Sequence, residues 1–149
     1  MALLSQQRMI RLINFYSPYL FSGIKMEHQS ADGLTYRVAL RQRWYNRNLF
    51  GTHFGGSLYA MADPWFVFIL LAGLGKGYII WDKAATIRFR KPGKGTVRGT
   101  FSLTPEQVAE VKKLADGGQK DFTFTAEIHN AEGEVVAEVE KVVYVRPKG

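Results

Sequence analysis

The stretch SLYAMADPWFVFILLAGL, residues 57–74, is apolar on every side of a helical projection and carries one acid, Asp63, followed by Pro64. A helix that is apolar all round in a water-soluble chain has to be enclosed by other elements. Asp63, Pro64 and Gly73 interrupt the stretch, and the apolar run from Trp65 to Ala72 is far short of the ~20 residues that span a bilayer. The stretch therefore reads as a long buried central helix and not as an integral membrane segment.

Upstream of it, residues 46–56 lack periodicity and hold Gly51, Gly55 and Gly56, the mark of a loop that opens into the helix. Before the loop, Leu34, Tyr36, Val38 and Leu40 alternate with Thr35, Arg37, Ala39 and Arg41, which predicts a half-buried strand with a basic outer face. Residues 24–29 read as a shorter strand. Leu3, Leu4, Ile10, Ile13 and Phe15 fall at an imperfect helical spacing that ends near Ser17-Pro18, so an N-terminal helix is expected within residues 1–20.

Downstream, strands are predicted over 78–90, 96–104, 121–130 and 134–146. Thr104 and Pro105 are a helix N-cap and first helical residue, for a short helix through Leu114. Asn130-Ala-Glu-Gly133 is a hairpin turn. In the last strand Val135, Ala137 and Val139 share a face, and the alternation breaks near Glu140-Lys141, which suggests a bulge there. Short turns between strands favour antiparallel pairing. The expected architecture is a single α+β domain over residues 1–149, an antiparallel β-sheet wrapped around the central helix at 57–74.

The 149-residue length suits one domain, and 46% hydrophobic with 22% charged residues excludes a disordered tail or a coiled-coil rod. With no cysteine there is no disulfide framework, zinc ribbon, thiol nucleophile or iron–sulfur cluster. Arg8, Arg11 and Lys25 interrupt the first 25 residues, which lack the pattern of a secretory signal, so a cytoplasmic protein is expected. A net charge of +7 favours polyanionic partners, anionic cofactors included. No helix-turn-helix or aromatic-basic RNA motif accompanies it, so nucleic acid is not expected as a partner.

Several catalytic arrangements are excluded. Ser57 follows Gly55-Gly56 but has Tyr59 where a nucleophile elbow needs glycine. Gly73-Leu-Gly-Lys-Gly77 lacks the spacing of a phosphate-binding loop. His28, His53 and His129 sit on separate segments without paired metal-ligand spacing, so no metal is expected.

Asp63 is the strongest catalytic candidate, because an ionised carboxylate among apolar residues needs a partner or a task, and general base is such a task. The competing role is to cap the backbone groups freed by Pro64, whose ring leaves the carbonyl of Ala60 without its donor. Gly55 and Gly56 leave N–H groups open at the positive end of the helix, where an oxyanion would be stabilised. Gly55 and Asp63 are eight positions apart, roughly 12 Å along one helix. If both act on one carbonyl, two antiparallel copies of the helix must meet in a symmetric dimer. Asn48 would orient water or form the turn, and Asp82 would hold a water or pair with Lys83. Arg37, Arg41 and Arg43 on one strand face, and Arg88, Arg90, Lys91 and Lys94 at a strand end, suit phosphates or are solvated faces. Trp65, Phe66 and Phe68 would line an apolar pocket or pack the core.

Asn48-Leu-Phe-Gly-Thr-His-Phe-Gly-Gly56, followed by Asp63 seven residues later, resembles the hotdog-fold acyl-CoA thioesterases of the phenylacetyl-CoA type. Their pattern runs Asn, two residues, Gly-Thr, one residue, His-Gly-Gly, six residues and Asp. The Gly-Thr-His-Phe-Gly-Gly and Trp-Asp-Lys stretches at Gly51 and Trp81 resemble an uncharacterised branch of these proteins. The resemblance implies the hotdog fold and hydrolysis of an acyl thioester by a dimer or dimer of dimers. CoA is then part of the substrate and no cofactor is needed. It makes Gly55 the backbone donor to the thioester carbonyl, Asp63 the base or nucleophile, and Asn48 the residue that positions water. Asp82 falls where related enzymes often have a Ser or Thr that holds that water. Phe54 takes the usual histidine position, with His53 one place earlier. His53, Phe54 and Gly56 are then expected at the substrate, with Arg88, Arg90 and Lys91 on the CoA phosphates. Two alternatives share the scaffold: a hotdog hydratase or dehydratase, whose His-Phe pair His53-Phe54 echoes, and a non-catalytic acyl-CoA or fatty-acyl binding module.

Overall fold

The computed structural model describes residues 10–149, so the expected helical positions Leu3 and Leu4 lie outside the described residues. The described helical residues of the N-terminal segment end at Phe15, close to the expected end near Ser17-Pro18, and Ser17-Pro18 opens a further helix. After a 3-10 turn at Ile13–Phe15, helix α1 spans Ser17–Ser22 with Pro18 in its first turn, where a missing N–H costs nothing. Gly23 ends it at φ 80°, and a Cβ there would meet Asn46 Nδ2 and the carbonyl of Arg41.

The sheet is built from β1 (Ile24–Gln29), β2 (Thr35–Arg41), β3 (Tyr78–Phe89), β4 (Thr96–Ser102), β5 (Lys120–His129) and β6 (Val135–Pro147). Their order is β1-β2-β4-β5-β6-β3, and each neighbouring pair is antiparallel, as the short turns predict. The two outer strands differ. The backbone of β1 is bonded at Met26 by the Asn14 side chain, which donates to its carbonyl at 3.1 Å and accepts from its N–H at 2.7 Å. Among the described residues no strand follows β3, and its Lys83, Ala84, Ala85 and Thr86 are all exposed.

The sheet wraps around a helical column from Gly55 to Gly77. The sequence predicts one helix at 57–74, but the column divides into α2 (Gly55–Ala60) and α3 (Trp65–Leu74), followed by a 3-10 turn. The break at Met61–Pro64 follows from Pro64, which has no N–H for the Ala60 carbonyl. Tyr19 Oη donates to that carbonyl at 3.3 Å, and the Trp65 indole N–H donates to Met61 O at 2.6 Å. By length and apolarity alone the column would pass for a membrane span. Yet Trp65, Phe66, Ile69 and Leu70 are enclosed by the sheet. The Trp65 ring centre lies 5.0 Å from that of Tyr36, and Phe66 stacks on Phe124 at 5.1 Å. Such aromatic pairs add about 0.5–1.5 kcal/mol each to the burial of their surface.

The last strand corrects the expected bulge. Pairing with β5 runs without a shift through Phe124↔Lys141 and Thr125↔Glu140, and Val139, Lys141, Val143 and Val145 all point inward. The irregularities lie at Val136, where β6 gains a residue on β5, and between Asp82 and Ala84 in β3. Lys141 is therefore a buried charge in unbroken alternation.

Helix α4 (Pro105–Asp116) carries the expected cap as a full capping box between Thr104 and Gln107, and runs two residues beyond Leu114. It packs on α3 at Gly73, where a Cβ would stand 2.4 Å from Val108 Cγ1. Alanine is the better helix former, but here its methyl would overlap Val108, which is buried. Gly73→Ala is expected to destabilise the protein by about 1–3 kcal/mol in chemical unfolding. A stabilised variant would show that helix propensity decides at this site.

Candidate active site

The site forms where the break in the helical column faces β3 and β6. Asp63 sits in that break, and its side chain is 54% exposed, so the expected burial of this acid is not found. The freed Ala60 carbonyl is served by Tyr19, and the Asp63 carboxylate is engaged elsewhere. Its Oδ1 accepts from Lys141 Nζ at 3.2 Å and from Tyr59 Oη at 3.3 Å.

Lys141 is the group that the sequence did not single out. Its side chain is 0% exposed, and Nζ also lies 3.0 Å from Asp82 Oδ2 and 3.4 Å from Tyr59 Oη. Burial alone would push its pKa down, but the bond and charge of Asp82 and the charge of Asp63 hold it above the ordinary lysine value. Burial raises the Asp82 carboxyl above the usual range, and Lys141 offsets part of that effect. Asp82 is thus tied to Lys141 and not to Lys83, which pairs with Asp121 at 2.5 Å. Asp82 Oδ1 is buried without a partner. One ammonium bridges two carboxylates and offsets their mutual repulsion.

Asp63 and Tyr59 also border an apolar cleft of about 1070 Å³ that runs beneath the N-terminal segment. Phe68 lines it, whereas Trp65 and Phe66 belong to the core. A single carboxylate thus has one oxygen fixed by a buried cation and a tyrosine, while the side chain as a whole reaches solvent and an apolar cavity.

The family model described as a domain of unknown function, DUF4442, matches residues 5–145. The chain belongs to the DUF4442 family. Solved structures show that this DUF4442 chain has the hotdog fold. A Pseudomonas aeruginosa protein of unknown function, described as a probable thioesterase, is 23% identical with a TM-score of 0.79 over 92% of each chain. The Escherichia coli PaaI protein from the phenylacetic acid degradation operon is 18% identical, with a TM-score of 0.66 over 97% of this chain and 93% of its own. A Haemophilus influenzae thioesterase is 13% identical, with a TM-score of 0.63 over 93% of this chain and 88% of its own. None of the curated proteins matches the sequence.

The remaining residues of interest in the DUF4442 chain serve other parts of the fold. Asn48 is used by its own loop: Oδ1 accepts from the N–H of Phe50 and Thr52, and Nδ2 donates to Thr52 Oγ1 at 2.9 Å and His53 O at 3.2 Å. His53 is buried with Nε2 at 2.8 Å from Gly95 O, an acceptor that requires Nε2 to carry the proton. Desolvation lowers the His53 pKa, and its Nδ1 has no partner. Phe54 is exposed at the N-terminus of α2. A Cβ at Gly56 would lie 2.5 Å from its ring and one at Gly55 3.0 Å from the Phe89 ring, so a side chain at either position would have to displace an aromatic ring. The backbone bonds of that turn begin with Ser57 N–H to Phe54 O, leaving the N–H groups of Gly55 and Gly56 at the open end.

The basic cluster is partly neutralised. Arg90 pairs with Glu138 at 2.6 Å, and Lys91 pairs with Glu134. Arg88 is exposed on the outer face of β3. At the β1–β2–β4 end of the sheet Arg37, Arg41 and Arg98 converge on Glu27. Among the described residues no group of three or more His, Asp or Glu is placed to hold a metal ion.

Proposed function

We propose that this DUF4442 protein is a cytoplasmic acyl-thioester hydrolase, acting on an acyl-CoA as a homodimer or a pair of dimers, with Asp63 activating water. The carrying observation is the Asp63 carboxylate: Oδ1 is held by Lys141 and Tyr59, beside an apolar cleft. Holding Oδ1 leaves Oδ2 as the oxygen that takes the proton of an attacking water. Lys141 acts as a positioning residue, and Asp82 anchors Lys141 in the place where related enzymes often have a Ser or Thr. Asn48 keeps the loop before α2 in shape. The thioester carbonyl would receive the Gly55 N–H, and its developing negative charge would be stabilised there. The thioesterase names of the neighbouring structures support the same class.

Gly55 and Asp63 stand at opposite ends of the first two turns of the column, so the donor and base for one carbonyl would come from two protomers. The edge of β3, which no strand among the described residues covers, supports such pairing, and Trp81 and Phe89 of that strand, with Leu49, Phe50 and Phe54 before α2, are large exposed apolar side chains. Lysine substitutions at Ala85 and Thr86 are expected to give a 16.9 kDa monomer in analytical ultracentrifugation and to abolish turnover. An unchanged assembly would remove β3 from the interface. Arg88, Arg90 and Lys91 would meet the CoA phosphates, which must compete with Glu138 and Glu134.

A panel of acyl-CoAs, followed by free thiol release, tests the activity. Turnover of at least one member is expected. Stoichiometric binding without thiol would instead favour an acyl-CoA binding module, a reading that Asn48 supports because its amide is already committed to its loop.

A further inference from the structure

The cleft beside Asp63 carries information about the acyl group itself. It is walled by three separate parts of the chain: the N-terminal segment with Ile13 and Tyr19, the β1–β2 turn with Ala31, and the helical column with Phe68 and Ala72. Its volume of about 1070 Å³ is at the top of the ~300–1,000 Å³ common for small-molecule pockets. Gly33 and Ala72 meet at its far end, where a Cβ on Gly33 would lie 3.0 Å from Ala72 Cβ. From Asp63 to Ala72 the column advances nine residues, roughly 13 Å at 1.5 Å per residue. A two-carbon acyl group placed at Asp63 would leave most of that length empty.

The charges are as informative as the size. Among the described residues the cleft is lined by two carboxylates, Asp63 and Asp32, and by no Lys, Arg or His. Asp32 accepts from Ser30 Oγ at 2.5 Å and from Leu34 N–H at 3.0 Å, and these bonds hold its carboxyl below the usual range, so it stays anionic. A substrate tail with its own carboxylate would meet the Asp32 carboxylate there, while the Lys141 ammonium is already engaged by Asp63 and Asp82. Burial of apolar surface, at ~0.8 kcal/mol per methylene, is what such walls reward.

We propose that this cleft is the acyl-selecting site and that it takes uncharged acyl groups of medium or greater length, against short and ω-carboxylated ones, with Ala72 setting its depth. This rests on the thioester reading for the position of the carbonyl at Asp63. The walls that select the chain come from one protomer.

The test uses non-hydrolysable thioether analogues of acetyl-CoA, decanoyl-CoA and ω-carboxydecanoyl-CoA, titrated calorimetrically into the full chain and into Ala72→Trp. Ala31→Trp, on the opposite lip of the cleft, is the second variant, and melting curves establish that both fold. The wild type is expected to bind the decanoyl analogue at least tenfold more tightly than the other two. Ala72→Trp is expected to lose most of that preference, and Ala31→Trp to change it in the same direction. Equal affinities for the decanoyl and acetyl analogues in the wild type, or a preference untouched by both variants, would overturn the proposal. Thiol release from the matching thioesters separates the two ideas. A chain-length preference without thiol release would sink the hydrolase and keep the cleft, whereas turnover blind to chain length and to Ala72→Trp would do the reverse.

Discussion

Lys141→Met is expected to destabilise the protein by about 3 kcal/mol near neutral pH, the lower end of the cost of breaking a buried ion pair. The lower end applies because Asp63 is half in solvent and recovers hydration, while Asp82 is the acid left stranded. Burial already raises the Asp82 pKa, and in the variant nothing offsets it. A carboxyl whose folded-state pKa lies above its unfolded value binds more protons when folded, so stability rises as pH falls through the folded value. The deficit of the variant should therefore shrink as pH falls from neutrality to the ordinary carboxylate range. Urea unfolding at both pH values checks this, with Lys141→Arg as the charge-preserving control. A deficit of the same size at both pH values would mean that lost packing, and not the stranded acid, is responsible. Asp82→Asn combined with Lys141→Met should recover part of the loss, because no ionised group then remains at position 82.

Asp63→Asn is expected to lower kcat by about 10²- to 10⁴-fold, the usual contribution of a general base. Asparagine has the same shape, and its amide oxygen still accepts from Lys141 and Tyr59. What it loses is the ability to take a proton. Substrate binding should stay within a few fold, and stability should change little because the position is at the surface of the cleft. Steady-state kinetics with the best acyl-CoA of the panel give the result, and a variant that keeps wild-type kcat would remove Asp63 from the chemistry.

Much of this fold could be read from periodicity. The alternation of Leu34 to Leu40, the cap at Thr104 and the turn at Asn130 each encode local geometry, and each forms as expected. The differences lie where tertiary contacts override a local pattern. The helical spacing that ends near Ser17 is followed at once by a second helix, which carries Pro18 in its first turn. Pro64 divides the central helix, which turns an acid expected in the interior into one at a solvent-facing break.

Lys141 is the most instructive case. Between Val139 and Val143, a charge in an inward position is ambiguous: the strand bulges to expel it, or a counter-charge waits inside. Asp63 and Asp82 supply that counter-charge from 78 and 59 residues away in sequence, beyond the reach of any local rule. Two acids near one apolar helix and one lysine in register on a strand were the available signal. In the sequence Tyr59 only rules out a nucleophile elbow, and its hydroxyl meets Asp63 once the helix is folded.

The central claim is that the Asp63 carboxylate directs water onto the acyl carbonyl. A single turnover with enzyme in excess, carried out in heavy-oxygen water and read by mass spectrometry, tests it most directly. The account predicts one heavy oxygen in the released acid and none in the peptide that contains Asp63. Unlabelled acid with the label in that peptide would make Asp63 a nucleophile, and the absence of any released acid would contradict hydrolysis altogether.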